Sequence, residues 1–144
     1  MMEFTELPNY LEWANTRALE MLKAAPTEDG TNIFAHLLAA EETWARRITG
    51  EAGAYSLRPD WSLEECAAAI QSNTQRYRDI VSRLNKDYEV TYHNTKGEEF
   101  VSKVYDILLQ VMTHGAYHRG QISAEVTRSG GEVLDTDYIL FKRR

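Results

Sequence analysis

The chain has 144 residues, 43% hydrophobic and 26% charged, with a formal net charge of −6. This is the makeup of one ordinary globular domain, 1–144, large enough for a single core, and its acidity argues against a nucleic-acid partner, which needs a basic face. The one cysteine, Cys66, excludes an internal disulfide and a multi-cysteine zinc site, and no apolar stretch is long enough to span a bilayer.

The first predicted helix runs from about Phe4 to Ala25. Tyr10, Leu11, Trp13, Ala14, Ala18, Met21 and Leu22 recur at helical spacing. Pro26 and Gly30 are expected to end it and form the next loop. The second helix is expected from about Asn32 to Thr49, with Thr31 or Asn32 as cap. Its apolar stripe contains Phe34, Leu37, Leu38, Trp44, Ala45 and Ile48, and His36 lies next to that stripe. Gly50 and Gly53 should stop it, with a loop through Pro59 and Asp60.

The third helix opens at Ser62-Leu63-Glu64-Glu65, which fits a capping box, and continues to about Asn85. Within it Cys66 precedes Ala67-Ala68-Ala69-Ile70 and reads as a small apolar residue rather than a nucleophile. The period then changes. Tyr88 to Tyr92 alternates, Asn94 to Gly97 can turn and Glu98 to Val101 can return, so either a short hairpin or an irregular crossover fits. The fourth helix is expected from about Ser102 to Arg128, ended by Ser129-Gly130-Gly131. Apolar anchors at Val133, Leu134 and Tyr138 to Phe141 predict a tail packed on the helices, with Lys142-Arg143-Arg144 solvated. Met1 to Glu6 lacks a basic region followed by an apolar run, so no signal peptide is expected, and the cytoplasm is the default location. Four amphipathic helices that must bury their stripes against one another predict an all-α four-helix bundle.

The residues with most chemistry lie in Thr113 to Gln121. His114 and His118 are two of only four histidines, and four residues apart on a helix their rings share a face. His36, on another helix, is the best third partner. Three imidazoles suit zinc, nickel, copper, cobalt or iron rather than magnesium or calcium. Three protein ligands leave positions open, the pattern of a reactive site. The alternative is that all three are hydrogen-bonded bundle residues. Gln110, one turn before His114, could face the same cavity. Glu41 could orient a ligand, act as a base or form a salt bridge. Tyr117, adjacent to His118, is expected to point elsewhere, Arg119 and Gln121 to have structural roles, and His93 to stay outside the site.

The pieces Tyr10-Leu11-Glu12-Trp13-Ala14-Asn15, Ala35 to Trp44 with Arg47-Ile48-Thr49-Gly50, His114 to Gln121, and Thr136-Asp137-Tyr138-Ile139 together resemble the DinB/YfiT-like metalloprotein superfamily over nearly the whole length. The resemblance implies a four-helix bundle in which His36, His114 and His118 bind one divalent metal, usually nickel or zinc, often in a homodimer. Some members are transferases or isomerases that use a low-molecular-weight thiol such as bacillithiol or mycothiol. Many carry a further histidine where this chain has Gln110.

The function expected is a cytoplasmic metal-dependent thiol S-transferase acting on a small electrophile in an aromatic-lined pocket. The alternatives are a metal-dependent hydrolase, with Glu41 or another carboxylate moving protons, and a non-enzymatic metal-binding, stress-associated dimer. No nucleic acid or membrane partner is expected.

Overall fold

The computed structural model describes residues 4–51 and 56–144. Helix α1 spans Leu7–Ala24, with Pro8 in its first turn. The fixed φ of that proline suits a helix start and sets it three residues later than periodicity alone suggests. Helix α2 spans Glu28–Thr49. It begins earlier than expected, and Gly30 lies inside it rather than in a loop. Thr27 is extended and its side chain accepts from the Gly30 amide at 2.9 Å. Glu28 and Asp29 place negative charge on the first turn, where the helix dipole favours it. A side chain at Gly30 would meet Leu22 Cδ2 at 2.7 Å, so glycine here lets α1 approach closely. Gly50 closes α2 in the left-handed region at φ 74°, as expected; Gly53 lies outside the described residues.

Helix α3 spans Leu63–Arg83, with Ser62 as the expected cap accepting from the Glu65 amide at 3.2 Å. The ambiguous segment is a hairpin of β1, Glu89–His93, and β2, Glu99–Lys103, paired antiparallel from Glu89↔Lys103 to His93↔Glu99. Asn94 Oδ1 accepts from the amides of Lys96 and Glu98 and holds the turn. Helix α4, Val104–Arg128, starts two residues late because Ser102 pairs with Val90 in the ladder. The tail packs on the bundle through Phe141 and through bonds from Tyr10 and Arg17 to the Thr136 and Asp135 carbonyls, whereas the expected anchors Val133, Tyr138 and Ile139 are exposed. Phe141 is buried, in a short helix α5, Tyr138–Lys142, that the sequence pattern did not signal. No helix among the described residues is long and apolar enough to cross a membrane.

Side-chain bonds fix the helix directions. Asn73 Nδ2 donates to the Leu38 carbonyl and Tyr77 OH to that of Glu41, so α2 and α3 run parallel. Arg78 reaches Glu12 while Asn73 and Asn15 meet at Glu41, so α1 opposes α3. Helix α4 opposes α2, since His118 lies beside His36 and Glu125 beside Gly30. In the connection between these parallel helices, the described residues 56–62 place the Leu57 carbonyl, with Arg58 next in sequence, against His36 on α2.

The core has two apolar halves. One centres on Tyr10, Leu11, Tyr77, Ile107 and Leu108, the other on Leu22, Phe34, Leu38, Ile70 and Ile122. Between them is a buried polar layer. Arg119, only 1% exposed, donates from Nη1 to Asn15 Oδ1 at 2.9 Å and from Nη2 to Tyr10 OH at 3.3 Å. Asn15 Nδ2 donates to Glu41 Oε2 at 2.9 Å, and Asn73 Nδ2 to Glu41 Oε1 at 3.3 Å. Tyr10 OH donates onward to the Thr136 carbonyl at 2.9 Å, tying in the tail. Gly115 leaves room for the guanidinium, since a Cβ there would sit 3.0 Å from Arg119 Nη1.

Removing one member of a buried charged network leaves the other uncompensated, at a cost of about 3–5 kcal/mol. Arg119→Met is expected to lose that much in urea unfolding. The double variant with Glu41→Gln should lose less than the two single losses combined, and strict additivity would contradict the coupling.

Burial pushes the Glu41 carboxyl from 4.5 up to about 6, against the pull of Asn15, Arg119 and Asn73. The folded protein therefore holds this proton more tightly than the unfolded chain. The resulting stabilisation is full below pH 4.5 and is lost as pH rises through 6, by roughly 2 kcal/mol. Compared with Glu41→Gln, the parent should lose that amount between pH 4.5 and pH 7.5; parallel pH profiles would contradict it.

Candidate metal centre

Helix α4 offers His114 and His118 on one face, and α2 brings His36 against them. The rings of His36 lie 5.4 Å from His114 and 4.8 Å from His118, and those two are 4.4 Å apart. One nitrogen from each ring can be chosen so that all three lie within 4.8 Å of one another. His114 Nε2 and His118 Nε2 are 3.1 Å apart. Nitrogens about 2.0–2.1 Å from one ion are separated by about 2.9 Å in an octahedral face and about 3.4 Å in a tetrahedron. The His114–His118 spacing falls between these limits, while the set of three is held within 4.8 Å. All three residues are half-buried, accessible from solvent yet held by the bundle.

The far nitrogens of two rings are already committed. His36 Nδ1 donates to the Leu57 carbonyl at 2.6 Å. His118 Nδ1 donates to Gln121 Oε1 at 2.7 Å, and Gln121 Nε2 faces Tyr117 OH at 3.4 Å, which fixes the amide's orientation. With Nδ1 protonated, both rings direct an Nε2 lone pair inward, the tautomer a metal requires. Burial, then the charges of His118 and His36, push the His114 pKa down to about 4. Burial also lowers His36, assisted by Arg58 and His118 and opposed by the bond to Leu57. These two rings are therefore neutral near pH 7 and available as donors. The donor set is three neutral nitrogens and suits a divalent transition ion.

The other candidates separate clearly. Gln110 is exposed, and its carbonyl accepts from Thr113 Oγ1 at 3.3 Å. Glu41 is in the buried polar layer and bonds to no histidine, so it neither orients a ligand nor serves this site as a base. Its link to Arg119 runs through Asn15. The expectation for Tyr117 is corrected, because its ring lies edge-on to His118 at 5.1 Å. The side chain is long enough to fold back over the neighbouring turn. Gln121 supports a candidate ligand and is not merely structural; its i,i+3 spacing from His118 was the available signal. His93 is on the hairpin, near Glu99 and apart from the three. Cys66 is buried among apolar side chains, with burial and Glu65 pushing its thiol up to about 11, so it remains an inert thiol.

The model of the DinB family matches residues 1–144. The chain belongs to the DinB family. It is also similar to Protein DinB of Bacillus subtilis (strain 168), at 23% identity, with 94% of this chain and 91% of that protein covered. No solved structure gives a significant match.

Supporting hydrogen bonds of this kind are worth 10–100-fold in metal affinity. Gln121→Ala should therefore weaken zinc binding by about that factor in a chelator competition, with unfolding stability changed by less than about 0.5 kcal/mol. Unchanged affinity would show that the Gln121 bond does not position the ring.

Proposed function

We propose that this protein is a metal-dependent enzyme of the thiol S-transferase type, with His36, His114 and His118 holding one divalent ion, nickel or zinc. The observation that carries this reading is the convergence of the three imidazoles, two with their far nitrogens tied to fixed acceptors, at a position accessible from solvent. A divalent ion bound there supplies a Lewis acid that lowers the pKa of a thiol and makes thiolate available near neutral pH.

The protein's own part is to hold three neutral nitrogens rigidly and to shape the approach. Tyr117, 65% exposed beside His118, offers an aromatic flank for a small electrophile. In the transfer the thiol loses its proton to solvent, a sulfur–carbon bond forms, and the leaving group departs with the electrons of its own bond. This chemistry needs no protein base, whereas hydrolysis calls on Glu41 or another carboxylate to move protons, and Glu41 is committed to Asn15 and Asn73. A reducing cytoplasm is the compartment in which a low-molecular-weight thiol stays usable. A homodimer is part of this reading, with exposed Val133, Tyr138 and Ile139 offering apolar surface to cover.

Tag-free protein loaded with zinc or nickel should accelerate reaction of a small thiol, such as cysteine or 2-mercaptoethanol, with an activated aryl halide. His118→Ala should lose both metal and acceleration. Full acceleration by a metal-free variant would overturn the reading, and metal binding without any turnover would favour a non-enzymatic role.

A further inference from the structure

Among its described residues, the connection from α2 to α3 meets the histidine cluster at Leu57. The Leu57 carbonyl accepts the His36 Nδ1 proton at 2.6 Å, which fixes the Leu57 backbone to a candidate ligand ring. Arg58 is the next residue, so the same bond holds it at the rim of the site. Two features limit its freedom. Its amide donates to Ser56 Oγ at 3.2 Å, and Pro59 follows it, which holds a preceding residue out of the helical region.

The charge environment is one-sided. Although the chain carries −6 overall, the charges that act on His36 are those of Arg58 and His118, and those that act on His114 are those of His118 and His36. Four other arginines have carboxylate partners: Arg46 with Glu42 and Glu51, Arg76 with Glu51, Arg78 with Glu12, Arg128 with Glu125. The exposed Arg58 guanidinium has none among the described residues. Three neutral donors, a dipositive ion and this cation would give the site a formal charge of about +3. A thiolate would neutralise only one unit. A guanidinium presents a fork of donors that matches a carboxylate in two parallel bonds.

We propose that Arg58 is a specificity-determining residue that binds a carboxylate on the metal-bound ligand, so that the site selects small thiols carrying an acid group a few bonds from sulfur. The choice of a thiol rests on the reading given under Proposed function; the selection of an acid does not.

The test uses the full chain loaded with cobalt(II), whose visible spectrum reports ligand binding. Two pairs of probes differ in one acid group: 3-mercaptopropionate against 2-mercaptoethanol, and succinic monohydroxamate against acetohydroxamate. The parent should bind the acid-bearing member of each pair about tenfold or more tightly. In Arg58→Ala and Arg58→Glu, with cobalt still bound, the ratio should fall to one or below, and Arg58→Lys should keep part of it. Equal binding of acid and neutral probes by the parent, or a preference that survives Arg58→Ala, overturns the proposal. Hydroxamates that bind where neither thiol gives a sulfur-to-cobalt band would refute the thiol reading, and the hydroxamate ratio would still decide the role of Arg58. Failure to bind cobalt would overturn both.

Discussion

A guanidinium with almost no exposed surface must find fixed acceptors, and Arg119 finds them on α1. Through Asn15 it is joined to Glu41 on α2 and Asn73 on α3, and through Tyr10 to the tail at Thr136. This polar layer spans all four long helices between two apolar halves of the core. Apolar contacts alone would tolerate small rotations and slides of one helix against another, but a buried hydrogen-bonded network leaves unpaired groups if any member shifts. The layer therefore sets the register of the bundle. Holding Arg119 inward also fixes the rotation of α4, and His118 is the adjacent residue.

That rotation determines where the imidazoles point. Arg119 is committed to the interior, and one residue earlier, about 100° around the helix, His118 is turned toward α2. His114 is one turn below on the same face, and α2 supplies His36 opposite. The remaining adjustment comes from groups outside the cluster. A backbone carbonyl at Leu57 and a side-chain amide at Gln121 take the Nδ1 protons and leave the Nε2 lone pairs converging. Two Nε2 lone pairs held inward beside a third imidazole form a donor set that suits a divalent transition ion.

The four helices were legible because their apolar positions recur at helical spacing, and Ser62 and Gly50 mark boundaries by plain capping chemistry. The start of α2 was misread because Gly30 was weighed as a helix breaker, whereas Thr27 caps the helix and the missing side chain admits Leu22. The histidine pair was legible from its four-residue spacing, and His36 from its place beside an apolar stripe. Glu41 is five residues from His36, about 140° around the helix, a separation that already directs it away from the site. Tyr117 defied the same reasoning because a long aromatic side chain can reach back along the helix. The Leu57 carbonyl could not be anticipated, since any residue has a carbonyl and only the folded position of Leu57 brings this one to His36. The parallel arrangement of α2 and α3 was likewise hidden, because long connections permit several orders and only cross-helix bonds distinguish them.

The central claim is that three imidazoles, oriented by the polar layer and by two supporting acceptors, hold one divalent ion. Metal content by elemental mass spectrometry tests this most directly, on tag-free protein supplied with zinc or nickel and on the His114→Ala/His118→Ala variant treated identically. The account predicts about one metal per chain in the parent and none in the variant. Absence of metal from the parent, or equal metal in both, would contradict it.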